Sequence, residues 1–545
     1  MTRTTKTTLP LLLALGALVS ACVARGDETN DADSASSDVT SAGAFTETTS
    51  SALAEQACGP GSNRGCYTNY AVTADLDGDG NLDLVLANGG DHFLPGDAEP
   101  QVLFFGDGTG KFADGSRSLV NAAPSIVRQV AVADFDGDGK LDIYFPGGYG
   151  AHDDQLFMQV GTREFENQVQ RIGGGRSHAG GVHAGDVDND GDIDLVIADW
   201  GAHPNPDEST PASPVTIRIL ENDGTGNFRP GAVLEASDGS TATDIDLQDV
   251  NGDFALDIIL TNRNGQSRLY FNDGKGTFTD VTRSKSFPKK QGPFTFNSEL
   301  CDVDGDGDLD LLFDGGGSFL PSHSTQLLIN DGTGVFTDET NRITGEPASD
   351  DNQVKCADVD NDGDFDLVVA SLTNATEKLL RNDGTGHFKA VGNAFPGLGD
   401  PTLAIDLGDF DGDGRVDLFT GQGEVPGAPW LDRIFKNGTT TADRNKPIFR
   451  RVEHPKAAPG KPTILRLAIS DAHTSETGQH VKNVRLALIA GGVEQNVDAS
   501  FIGGDVFRAV LPAFATGMTV KIQPHATDRA GNEGAGEAFE IKVAE

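Results

Sequence analysis

Short apolar, β-prone runs such as "LVLA", "IYFP" and "LVIA" recur along the chain, each entered from a cluster of aspartate and glycine. Long stretches with helical periodicity are scarce, so the pattern predicts strands and tight turns. Beyond each run comes a second signature: "LFFGDGTGKF", "LFMQVGTREF", "ILENDGTGNF", "LYFNDGKGTF", "LLINDGTGVF", "LLRNDGTGHF". In each, an Asn/Asp/Gly turn joins two β-like segments, which predicts a hairpin. The acidic clusters begin at Asp75, Asp134, Asp186, Asp249, Asp302, Asp358 and Asp409, 51 to 63 residues apart. Every unit therefore predicts four strands: one into the acidic loop, one out, and a hairpin pair. Units of that length are the size of propeller blades. One blade cannot bury both its faces, but seven arranged radially bury them against each other. The seventh hairpin decays to "RIFKNGTTT", and a strand near Cys66 to Tyr70 is expected to complete that blade.

The acidic loops read DLDGDGNLD, DFDGDGKLD, DVDNDGDID, DVNGDFALD, DVDGDGDLD, DVDNDGDFD and DFDGDGRVD. Carboxylates so crowded repel one another unless a cation sits among them. Calcium takes six to eight oxygen ligands and suits such a cage, whereas magnesium demands a small octahedron and keeps its waters. Positions 1, 3, 5 and 9 would supply side-chain oxygens and position 7 a backbone carbonyl. In order along the chain the candidate ligands are Asp75, Asp77, Asp79, Asn81 and Asp83; Asp134, Asp136, Asp138, Lys140 and Asp142; then Asp186, Asp188, Asp190, Asp192 and Asp194. They continue with Asp249, Asn251, Asp253 and Asp257; Asp302, Asp304, Asp306, Asp308 and Asp310; Asp358, Asp360, Asp362, Asp364 and Asp366; and Asp409, Asp411, Asp413, Arg415 and Asp417. An EF-hand is excluded because position 12, which must be a bidentate Glu, is Leu86 in the first loop and Phe145 in the second. The fourth loop departs from the rest: Asn251 replaces a carboxylate and Phe254 replaces the turn glycine. About six strong Ca2+ sites and a degenerate seventh are expected.

The loops and hairpins together resemble the FG-GAP and VCBS repeat families, which include the propeller of integrin α subunits. The resemblance covers residues 57–444 and implies an all-β fold, a seven-bladed β-propeller with calcium-binding loops. Cys301 and Cys356 precede consecutive loops and point to opposite faces of their own sheets, so a bridge between adjacent blades is open, as is a pair of buried thiols. Cys58 and Cys66 are close enough to staple a short loop.

Formal charge is −42, which argues against nucleic acid and against adhesion to anionic lipid. At the N-terminus Arg3 and Lys6 precede the apolar run "LPLLLALGALVSAC", too short to span a bilayer. Its end, Val19-Ser20-Ala21-Cys22, resembles the lipobox of bacterial lipoproteins, which implies cleavage after residue 21 and acylation of Cys22. Residues 1–22 are thus read as signal and anchor on a bacterial outer membrane or cell surface, and residues 23–56, rich in Ser, Thr and acid, as a disordered stalk.

After "NGTTTADRNKP" the repeat stops. Residues 446–545 show alternating strands, "TILRLAIS", "NVRLALIA", "VFRAVLP" and "TVKIQPHATD", and "ATDRAGNEGAGEAFEIKV" resembles the closing hairpin of bacterial Ig-like modules. A small immunoglobulin-like β-sandwich follows, expected to be a spacer or second adhesive unit. Loops at the blade ends opposite the acidic turns carry His92, Tyr149, His152, Trp200, His203, His323 and Trp430, a candidate rim for an extracellular protein or polysaccharide. Gly-x-Ser-x-Gly and HExxH are absent, so no catalytic constellation stands out. The leading expectation is a calcium-binding, lipid-anchored adhesion or ligand-binding protein. A carbohydrate-active lyase or hydrolase, or a scaffold of an envelope complex, is the alternative.

Overall fold

The computed structural model describes residues 45–53, 66–90, 98–148, 153–173, 175–200, 215–236, 241–263, 265–289, 294–316, 325–372, 376–396, 399, 401–423, 431–471 and 480–544. Seven sheets of four or five strands follow one another along the chain, and an eight-stranded sheet ends it. In every blade the first strand runs into the acidic loop and the second begins at position 9, as in Thr68–Ala74 and Asp83–Asn88. In blades 1 to 6 these strands and the hairpin pair lie antiparallel in chain order.

Why the second strands read as unbroken apolar runs is clear from where their residues go. Leu195 joins the core between blades 2 and 3, while its neighbour Val196 joins the core between blades 3 and 4. Leu367 and Val368 divide in the same way between the blade 5/6 and 6/7 cores. A strand covered on both faces needs no polar side. Seven apolar cores result, one at each junction of neighbouring blades. Nearer the axis, side chains of one inner strand bond the backbone of the next: Gln129 Oε1 accepts from Val182 N at 2.8 Å, and Gln353 Oε1 from Ile405 N at 2.7 Å.

The ring closes differently from the expectation. Thr68–Ala74 is the inner strand of blade 1, and blade 7 is completed by Phe45–Glu47, antiparallel to Arg433–Asn437. Phe45 stacks on Phe395 at 4.7 Å between ring centroids and joins the core between blades 6 and 7. Ala52, in the short helix Thr49–Ala52, joins the core between blades 7 and 1. Residues 45–53, assigned from composition to the stalk, thus belong to the propeller. Cys301 and Cys356 are bonded to each other across the blade 5/6 junction, and Cys66 is also in a disulfide.

In the C-terminal module one hydrogen-bonded path links Ile448–Val452, Thr463–Ser470, Val506–Leu511, Val493–Gly503, Val481–Ala490 and Thr519–Asp528, with Glu533–Ala535 and Phe539–Lys542 both pairing to the last. An immunoglobulin-like sandwich would keep two sheets apart. Here the strands form one hydrogen-bonded sheet, and its core includes Leu467, Leu486, Phe507 and Ile522. The module is docked, not tethered: Ile502 and Val506 lie in the core between blades 3 and 4, and Ile502 O accepts from Asp186 N at 2.8 Å. It therefore rests on the acidic-loop end of the propeller.

Candidate metal centres

Each acidic loop is first a backbone device. Position 1 accepts the N–H of position 6, as in Gly80 N to Asp75 Oδ2 at 3.0 Å and Gly363 N to Asp358 Oδ2 at 2.8 Å. Position 6 takes a positive φ, for example +94° at Gly80 and +106° at Gly191. Position 4 does too, with +75° at Gly78, +62° at Asn189 and +59° at Asn361. The signal was in the sequence, since position 4 is Gly or Asn in all seven loops, the residues that visit the left-handed region most readily.

Position 9 ties the loop to its own blade. Asp310 accepts from Val303 N at 3.1 Å and from Asn330 N at 2.9 Å, and Asp194 accepts from Val187 N and Asn222 N at 3.1 and 2.8 Å. The same pair of bonds recurs at Asp83, Asp142, Asp366 and Asp417. Each of these oxygens keeps a second lone pair for a cation.

Groups of three carboxylates with ligand atoms within 4.8 Å of one another include Asp75, Asp77 and Asp83; Asp134, Asp136 and Asp142; Asp186, Asp188 and Asp194; Asp302, Asp304 and Asp306; and Asp358, Asp360 and Asp366. In these groups the expected ligands at positions 1, 3 and 9 meet four times, and those at positions 1, 3 and 5 once. Position 5 elsewhere holds the turn, as where Asp79 Oδ1 accepts from Asn81 N at 2.9 Å, Asp138 Oδ1 from Lys140 N at 3.0 Å, Asp190 Oδ1 from Asp192 N at 3.0 Å and Asp362 Oδ1 from Asp364 N at 3.1 Å. Position-7 side chains lie over their own blade's hairpin: a Cβ on Gly332 would meet Asp308 Oδ2 at 2.3 Å, and one on Gly384 would meet Asp364 Oδ2 at 2.4 Å. The seventh loop keeps the backbone frame, with Gly414 N donating to Asp409 Oδ2 at 2.8 Å, while Arg415 pairs with Asp413 and Lys436 with Asp411.

Two observations fit these cages to a divalent ion. Position 3 has one oxygen held by a basic side chain in several blades, Arg342 on Asp304, Arg381 on Asp360 and Lys436 on Asp411, while Oδ1 of each is buried without a hydrogen-bond partner. The Oδ1 atoms of Asp136 and Asp186 are in the same condition. Burial also pushes the carboxyls up: Asp83 and Asp142 to about 7, and Asp194, Asp310 and Asp417 to about 8, despite the backbone N–H donors that oppose it. An acid cluster this costly to ionise is what a bound dication would relieve.

One feature was missed at sequence level. The Asn before each hairpin turn reaches two loops at once. Asn382 Nδ2 donates to Val303 O of blade 5 at 2.8 Å and to Phe365 O of its own blade at 3.0 Å. Asn222, Asn272, Asn330 and Asn437 repeat this, each toward the preceding blade. Gln159 substitutes in blade 2, reaching Leu76 O at 2.7 Å, and Gly110 N meets Phe410 O at 2.9 Å between blades 1 and 7. The Asn was legible only as a turn residue, because its acceptors belong to another blade.

Of the candidate rim, Trp200 is buried, with the Arg128 guanidinium 5.3 Å from its ring centroid. His92, Tyr149, His152, His203, His323 and Trp430 lie outside the described residues, as do Cys22 and Cys58. In the C-terminal module Asn532 N donates to Asp528 Oδ1 at 2.7 Å, closing a turn, and Asn532 Nδ2 donates to Asp443 Oδ2 of the propeller at 3.0 Å. No described helix is long and apolar enough to cross a membrane.

A family model described as an FG-GAP-like repeat matches residues 75–145, 249–313, 318–369 and 358–420. The chain carries FG-GAP repeats. Blade 3 falls outside the matched ranges, yet its loop makes the same bonds as the other FG-GAP loops. Cartilage acidic protein 1 of Mus musculus is 25% identical over 445 residues, covering 74% of this chain and 65% of its own length. The Homo sapiens protein of that name is also 25% identical, with 74% and 63% covered, and that of Xenopus tropicalis is 26% identical, with 63% and 55% covered. The chain thus spans less than two thirds of the length of these relatives. Among solved structures, the Plexin A4 extracellular region aligns with a TM-score of 0.36 at 10% identity, covering 87% of this chain and 60% of its own. A fructofuranosidase from Schwanniomyces occidentalis aligns with a TM-score of 0.26 at 9% identity, covering 65% and 90%. Neither score carries an argument.

Proposed function

We propose that this FG-GAP propeller is a calcium-loaded binding module, held at a bacterial outer membrane or cell surface by acylated Cys22, that engages an extracellular protein or polysaccharide. The carboxylate triads with buried, unpartnered oxygens carry the calcium reading. The likeness to proteins named for cartilage and acidity agrees with an acidic protein that works outside the cell. With the C-terminal module resting on the acidic-loop end, the ligand surface is proposed at the opposite end, where the candidate rim loops start and finish. Calcium here would be structural, neutralising each loop and fixing it to its own blade.

The test is elemental analysis and isothermal titration of the purified full chain, followed by binding to immobilised matrix proteins and a glycan array in calcium and in EDTA. About six calcium ions per chain and calcium-dependent retention of a ligand are expected. Less than one bound ion per chain, with calcium supplied in excess, would overturn the metal reading. Release of shorter oligosaccharides during incubation would replace binding by catalysis.

A further inference from the structure

The fourth loop departs from the others at positions 3 and 6, and an arginine enters it. Its frame is intact: Asp249 Oδ1 accepts from Gly252 N and Asp253 N at 2.8 and 3.0 Å, and Oδ2 from Phe254 N at 3.0 Å. Asn251 offers no carboxylate at position 3, and its Oδ1 accepts from Asp253 N at 3.1 Å. Into this loop comes Arg451 of the C-terminal module. Its NH2 donates to Asp249 O at 2.9 Å and to Asp249 Oδ2 at 3.2 Å, and its NH1 lies 3.4 Å from Asp308 Oδ1 in the fifth loop. Asp249 is wholly buried under it. A Cβ on Gly252 would come within 2.8 Å of Arg451 NH1. Loops 3 and 6 carry Asn at that position, and here a side chain would push against the Arg451 guanidinium.

Phe254, the second departure, has the same explanation. A bulky residue at φ +64° is strained and persists only where its surroundings compensate. The Arg466 guanidinium lies 5.7 Å from the Phe254 ring centroid, donates to Phe254 O at 3.2 Å and to Asn189 Oδ1 of loop 3 at 2.8 Å, and is itself aimed by Glu453. Glycine would remove that platform.

We infer that the fourth loop is an arginine socket: Arg451 is its resident cation in place of a metal, and the loop is the docking site of the C-terminal module. Neighbouring arginines touch other loops without displacing their carboxylates. Arg450 NH1 donates to Gly307 O at 2.7 Å and Arg508 NH2 to Asp190 O at 3.2 Å. A planar guanidinium reaches a carbonyl and a carboxylate together, which an ammonium cannot do as well.

The inference rests on the calcium reading only for the count of ions; docking is measured separately. The full chain and its Arg451→Met, Arg451→Lys and Asn251→Ala variants would be compared by hydrogen exchange and thermal denaturation, in calcium and in EDTA, and by elemental analysis. Arg451→Met is expected to lower the melting temperature by a few degrees in both media. Exchange should rise at least tenfold in residues 249–257 and 448–452, Arg451→Lys should recover only part of the loss, and bound calcium should be unchanged. Asn251→Ala, which needs no change at the interface, should also leave bound calcium unchanged. Loss of one ion per chain in Asn251→Ala would overturn the inference, as would Arg451→Met with wild-type exchange and melting. Should Arg451→Met fail to fold, Arg451→Lys and the Asn251→Ala ion count decide it. If no loop binds calcium, the proposed function fails, and the exchange experiment in EDTA still tests the socket.

Discussion

Asp310 shows what a single carboxylate does here. Both its oxygens take backbone N–H groups, so replacing one by an NH2 sets two donors face to face in a buried site. Asp310→Asn should destabilise the full chain by about 1–3 kcal/mol, read as a lower midpoint in urea denaturation. The same residues set a pH dependence for the metal-free protein. Asp194, Asp310 and Asp417 titrate near 8 when folded, against an ordinary value of 3.8, because burial disfavours the ionised form. Between those values the folded state holds protons that the unfolded chain has released. The contribution of these three carboxyls to stability in EDTA is therefore fully present below about pH 4 and is lost as pH rises through about 8. Calcium binds the ionised form and reverses the slope, so melting curves from pH 4 to 8 in EDTA and in calcium should diverge as pH increases.

The strands are short, and polar latches add to the apolar cores that hold one blade to the next. Asn382→Ala would leave Val303 O and Phe365 O without their side-chain donor, and a loss of about 1–3 kcal/mol is expected by urea denaturation, more than from an exposed Asn→Ala. The closing strand is a second such element. Deleting residues 42–53 strips blade 7 of its outer strand and two junctions of Phe45 and Ala52, and should lower the melting temperature more than any single latch substitution. Restoring the strand as a separate peptide should recover part of the difference. The Cys301–Cys356 bond spans 55 residues, a loop whose closure in the unfolded chain is worth about 4 kcal/mol in the entropic account. Reduction should therefore lower the urea midpoint without changing the far-UV spectrum of the folded state.

Taken as a whole, the molecule concentrates much of its charge of −42 on one end of a ring, and the C-terminal module covers part of that end with arginines. Cation binding and domain docking thus answer the same electrostatic problem, one with ions and one with side chains. Ions that bind only the folded chain stabilise it by mass action, about 4 kcal/mol per site at a thousandfold excess over the dissociation constant. Several sites should raise the melting temperature steeply with calcium, and a differential scanning trace unmoved by EDTA would contradict this.

Seven blades, the four strands of the first six, three strands of the seventh and the place of the carboxylates were legible from local pattern alone. Apolar runs, turn glycines and aspartate spacing are each decided within a few residues of chain, and those contacts are short-range. Contacts across the ring were not legible. Phe45–Glu47 sits in Ser/Thr-rich sequence and becomes a strand only because blade 7 has an open edge waiting for it. The Asn latches find their acceptors one blade away, and Arg451 finds Asp249 across 202 residues. Local chemistry thus determined which groups could bind a cation, and tertiary structure decided which received an arginine instead, because only the folded ring brings the two partners within reach.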